Sequence, residues 1–129
     1  MTDQIFWISA AAATAIHSEQ LAEHGGGEGV RDMGLLHSAM ARPQNLASYE
    51  QPHMARLAAS YAFGIARNHP FTDGNKRTAA VVSETFLILN GYELTATDAE
   101  IIVAFTALAA GDLEESELAE WFRERIAAS

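Results

Sequence analysis

Cysteine is missing from all 129 residues. Its absence excludes disulfide staples and thiolate metal sites, and it suits a reducing compartment such as the cytoplasm, where the protein is expected to work. Positive charge is scarce: Lys and Arg together number 8 against 17 Asp and Glu, for a formal net charge of -9, and Lys76 is the only lysine. Such a balance argues against direct nucleic-acid binding, because neutralising phosphates takes a cationic surface. It is compatible with a basic protein partner. No apolar run is long enough to span a bilayer, so no membrane role is expected. The stretch IFWISAAAATAI has the apolarity of a signal-peptide core, yet only Asp3 carries charge ahead of it, no cation precedes it, and polar helix-like sequence follows directly. It therefore reads as mature protein.

What is present is alanine-rich sequence with apolar residues recurring at three and four, the pattern of a nearly all-helical chain. Its length suits one domain spanning residues 1–129. Ser9 is placed to cap a first helix running to about His24, which Gly25, Gly26 and Gly27 end. A short helix follows, with Met33, Leu36 and Met40 on one face, expected to stop before Pro43. Pro52 suits a first helical turn, and Leu57, Tyr61 and Ile65 mark the buried stripe of a helix ending near Asn68. From about Asn75 to Asn90-Gly91 the sequence is apolar on several faces, with Val81, Val82, Phe86 and Leu89, as for the central helix of a bundle. Thr97 and Glu100 form a capping box for a helix ending at Gly111, and a last amphipathic helix carries Leu118, Trp121 and Phe122. The residues around Phe6 leave room for a little extended structure.

Between the third helix and the most apolar one lies NHPFTDGNKRTAA, residues 68–80. Pro70 disfavours right-handed helical geometry at His69, so the chain must turn there. A helix start offers unpaired backbone N–H groups and partial positive charge, a natural seat for phosphate. Gly74 lets a ligand approach the backbone, while Asn75, Lys76 and Arg77 supply donors around the same spot, Arg77 in a bidentate fork. Asp73 would repel phosphate unless a hard cation sat between them, which fits Mg²⁺ held by a carboxylate together with substrate phosphates. His69 is the nearby side chain that takes up a proton near neutral pH. Phe71 and Pro70 are expected to plug the core and keep the loop rigid. Arg67, two residues before His69, reads either as a surface charge or as a further contact to the same ligand. The remaining histidines, His17, His24, His37 and His53, read as structural or surface residues, as do Arg31 and Arg42. Trp7, Trp121 and Phe122 read as core. No His-Glu-x-x-His spacing marks a helical zinc site.

The run HPFTDGNKRTA resembles the signature of the Fic/Doc superfamily: histidine-proline-phenylalanine, an acidic residue, then Gly-Asn-Gly-Arg in Fic members. Lys76, standing where Fic enzymes have their second glycine, resembles the Doc (death-on-curing) branch of toxin–antitoxin toxins. IHSEQLAEHGG, GVRDMGLLHSAMARPQ, YAFGIARNHPF, FLILNGYELTA and LAEWFRERI agree with that branch along most of the chain. The resemblance implies an all-α Fic-fold helical bundle, with a central helix following the HPFTDGNKR loop, using ATP and Mg²⁺. By position, His69 would deprotonate a target hydroxyl, Asp73 would hold the metal, Gly74 and Asn75 would line the phosphate site, and Lys76 and Arg77 would clamp phosphates. Fic enzymes usually transfer AMP to a hydroxyl side chain. Doc-like proteins move the γ-phosphate to a threonine of elongation factor Tu and halt translation, and Lys76 favours that kinase reading. Gly74 departs from it, since the Doc prototype has alanine there. Some Fic proteins carry an inhibitory helix with serine or threonine, three residues, then Glu followed by Gly or Asn. Here Glu28-Gly29 has His24 in the hydroxyl position, so inhibition is expected in trans from an antitoxin protein.

Two other classes compete with a phosphotransferase toxin. An inactive relative would keep the fold only to bind a partner, which leaves the base, metal ligand and phosphate clamp without a purpose. A helix-turn-helix nucleic-acid binder is opposed by the net charge.

Overall fold

The computed structural model describes residues 4–129; Asp3 lies outside them. Among the described residues six helices, α1 (Ala10–His24), α2 (Met33–Tyr49), α3 (Met54–Asn68), α4 (Asn75–Leu89), α5 (Asp98–Ala110) and α6 (Glu115–Arg125), are joined by two short strands, β1 (Tyr92–Leu94) and β2 (Ile126–Ala128). The architecture is all-α, and no helix among the described residues is long and apolar enough to cross a membrane.

Local chemistry sets most of the boundaries. Ser9 accepts from the Ala12 amide at the start of α1, and Gly25, at φ 77°, ends it. Thr97 and Glu100 form their reciprocal cap on α5, and Gly111 closes that helix in the left-handed region. The same Glu100 bonds Arg125 at 2.9 Å, and that bond foremost holds its carboxyl below the usual range.

Two proline expectations fail. Pro43 does not stop α2; it sits buried inside a helix that continues to Tyr49. A proline inside a helix costs about 3 kcal/mol or more through the lost backbone bond and the ring's clash, and burial of the Pro43 ring, with Leu46 and Ala47 packing beyond it, works against that cost. Pro52 does not open α3. His53 caps that helix instead, its Nδ1 accepting from the Ala55 amide at 3.0 Å, so the first helical residue is Met54.

The core gathers around α3, which packs on α2, α4, α5 and α6. Leu57, Tyr61 and Ile65 are fully buried, and the small residues between them, Ala58, Ala59 and Ala62, let the neighbouring helices come close. Tyr61 keeps a polar tip there: its hydroxyl accepts from the Ile8 amide at 2.9 Å, and burial pushes its pKa up to about 12. The helix after the loop, α4, shares the centre with α3. Val82, Phe86 and Leu87 are buried, whereas Ile88 and Leu89 at its end are about half exposed, so α3 is the more enclosed of the two. On α6, Leu118 and Phe122 are buried, with Trp121 edge-on against Phe122.

Extended structure lies elsewhere than around Phe6. β1 pairs antiparallel with β2, Tyr92 opposite Ala128 and Leu94 opposite Ile126. Phe6 instead donates its amide to Asn90 Oδ1 and accepts from Asn90 Nδ2, both at 2.9 Å, which ties the chain before α1 to the far end of α4.

Candidate active site

The α3–α4 loop is built by a chain of local necessities. Pro70 bars the right-handed helical region to His69, which takes φ 51° and ψ 57°, the only positive φ outside glycine among the described residues. Its N–H still closes on the Ile65 carbonyl while the side chain turns out into solvent. Phe71 then dives into the core with no exposed surface. Asn75, itself 8% exposed, clasps it at both backbone groups: Oδ1 accepts from the Phe71 amide at 2.9 Å, and Nδ2 donates to the Phe71 carbonyl at 3.0 Å.

A second segment braces the loop from outside. The amides of Arg31 and Asp32 donate to the Pro70 carbonyl, and the Thr72 amide donates to Gly29 O. Arg31 adds its guanidinium, with Nε donating to the His69 carbonyl at 2.7 Å and Nη2 to the Asn68 carbonyl at 2.9 Å. It therefore holds the turn that presents His69, a task beyond the surface charge expected of it. The three-glycine run after α1 also does more than stop a helix. A side chain on Gly26 would come within 2.8 Å of Asp73 Oδ2, so the absence of one lets the acidic loop lie against this wall.

Between wall and loop opens a cleft of about 540 Å³, lined among others by His69, Asp73, Gly74, Asn75, Lys76 and Arg77. Every residue singled out for chemistry in this stretch thus faces one space, with His24 and Gly26 across from them. Asp73 Oδ1 accepts from the Gly74 amide at 2.8 Å, and Oδ2 faces the Gly27 amide at 3.4 Å. Gly74, at φ 73°, is the N-cap of α4, and no side chain caps this helix. Its first N–H groups are left for a ligand, and the dipole there favours an anion. Lys76 and Arg77 are exposed, and among the described residues neither forms an ion pair. Cations at this end of a helix oppose its dipole, and a phosphate would satisfy both.

Asn75 lines the cleft, yet its side-chain amide is spent on Phe71, which leaves the backbone as its contribution to an anion. Arg67 turns elsewhere: it stacks on Phe63 at 5.0 Å and does not line the cleft. No cluster of three metal-ligating side chains exists among the described residues. Asp73 fits the role of a lone carboxylate that shares Mg²⁺ with phosphates, because its oxygens retain lone pairs beside the anion seat.

Comparison with known proteins identifies the family. The family model described as "Fic/DOC family" matches residues 7–87, which hold α1 through most of α4 and the whole loop. The chain belongs to the Fic/Doc family. It is similar to Toxin Doc of Mycolicibacterium smegmatis, 46% identical over 76 residues that span 56% of this chain and 57% of that protein. It is also similar to Protein kinase doc of Escherichia phage P1, 30% identical over 117 residues that span 90% of this chain and 92% of the phage protein.

Proposed function

We propose that the chain is the toxin of a toxin–antitoxin pair and acts as an ATP-dependent protein kinase, placing a phosphoryl group on a threonine hydroxyl of a translation factor such as elongation factor Tu. The observation that carries this reading is the convergence of His69, Asp73, Lys76, Arg77 and the uncapped start of α4 on one cleft. The printed names of the relatives, a toxin and a protein kinase, support it. In this scheme His69 accepts the proton of the attacking hydroxyl, and its exposure gives a protein substrate access. Lys76, Arg77 and the α4 amides bind and orient the phosphates. Mg²⁺ at Asp73 would supply charge neutralisation between that carboxylate and the nucleotide. Work on a translation factor belongs in the cytoplasm.

A second reading, transfer of AMP, is favoured by Gly74, a glycine in the left-handed region where Fic enzymes also carry glycine. Control falls to an antitoxin acting in trans on either reading, since Glu28 does not line the cleft.

ATP labelled at the α or the γ position, incubated with the protein and lysate of its source organism, separates the readings. Label from γ alone marks the kinase and label from α marks AMP transfer. Absence of any transfer that depends on His69 refutes both and leaves a partner-binding module.

A further inference from the structure

We propose that His17, on α1, is a positioning residue that locks the peptide at the mouth of the phosphate seat; the inference rests on the functional reading above. His17 is 2% exposed, so it touches no substrate. Its imidazole lies parallel to the Phe71 ring, centroids 4.0 Å apart and planes 7° apart, and its Nε2 stands 2.8 Å from the Asp73 carbonyl oxygen. A carbonyl only accepts, so Nε2 must carry the proton and donate.

The bond matters because of which peptide it holds. In a trans peptide the C=O and N–H point in opposite directions. Drawing the Asp73 carbonyl towards α1 therefore turns the Gly74 N–H the other way, where Asp73 Oδ1 accepts it at 2.8 Å. Were this peptide to flip, the carbonyl oxygen would take the place of that N–H and meet the Asp73 carboxylate with like charge, disturbing two residues that line the cleft. Most residues resist such a flip through steric restriction of φ, but Gly74 is free to follow it. An open α4 start that depends on a glycine thus needs an external lock, and His17 supplies it while its ring packs the loop's anchor.

The test separates donor from ring. His17→Phe keeps the flat ring against Phe71 and loses the donor, whereas His17→Gln keeps an N–H that reaches the same oxygen. By calorimetry His17→Phe should bind Mg-ATP about tenfold more weakly than wild type and His17→Gln within about threefold of it. In turnover assays the loss should appear in the KM for ATP, with kcat at saturation unchanged. Equal Mg-ATP affinity of wild type and His17→Phe overturns the proposal. Wild type that binds no Mg-ATP would sink the functional reading instead, and two NMR readouts still judge His17 in that event. The Asp73 carbonyl carbon should shift in His17→Phe and return in His17→Gln; no shift in His17→Phe refutes the bond. In the wild-type protein, long-range ¹H–¹⁵N correlations should show a proton on Nε2; an imidazole carrying only Nδ1–H refutes it even if neither variant folds.

Discussion

From His69 to Arg77 two kinds of residue share one short loop. Pro70, Phe71 and Asn75 are buried and bonded to the body of the protein, while His69, Asp73, Lys76 and Arg77 are exposed around the cleft. The first kind holds the loop in place and the second faces the cleft. Their interleaving shows how a loop can present chemistry without floppiness: each exposed group stands within a residue or two of one that is fixed. The contrast predicts that substitutions in the two sets separate, with activity lost at one and stability lost at the other.

The largest effect should come from His69. His69→Ala is expected to lower transfer from labelled ATP by roughly 10²- to 10⁴-fold, while urea titration shows a change under about 1 kcal/mol. A comparable loss of stability would erase the distinction. Phe71→Ala should do the opposite, costing about 3–5 kcal/mol in urea through the cavity left in the core; activity of its folded fraction falls only because the loop loosens. Asn75 lies on the boundary between the sets. Asn75→Ala strips the clasp from the Phe71 amide and carbonyl and should cost about 1–3 kcal/mol, with a reduced affinity for Mg-ATP measured alongside.

The smallest effect sharpens the contrast from outside the loop. Glu84, on the same helix, has its carboxyl pKa raised, chiefly by partial burial and then by Asp98. A raised carboxylate pKa means the folded state holds the proton more tightly, so this contribution to stability is present at acid pH and is lost as pH rises through the folded value. Glu84→Gln should therefore raise the melting midpoint at pH 7 by about 2 °C and leave it unchanged at acid pH. Transfer activity should stay as it was.

Legibility in the sequence followed the range of the interaction. Ser9, the Thr97–Glu100 pair, Gly111 and Asn90-Gly91 act on neighbours a few residues away, and the helix ends they set were readable. Pro43 misled because its local penalty is outweighed by packing, and His53 because a ring nitrogen did the work expected of a hydroxyl or carboxylate. The exposed residues that line the cleft were visible because they are contiguous. The residues that brace it were not: His17 lies 56 positions from Asp73, and Arg31 lies 38 from His69. Nothing in a single sequence pairs them. A histidine amid small apolar residues and a Gly-rich stretch followed by Arg-Asp were the available hints, and each has commoner explanations. The β1–β2 pair likewise joins segments remote in sequence and left no periodic trace.

Two asparagines, one opening α4 and one capping its end, repeat one device. Asn75 at its first turn grips both backbone groups of Phe71, and Asn90 at its C-cap grips both of Phe6. A rod riveted at each extremity can neither slide nor swivel without breaking a pair of bonds. The opposite bank is shaped by backbone instead of side chains: Gly25, Gly26 and Gly29 all take positive φ, a region glycine enters without strain.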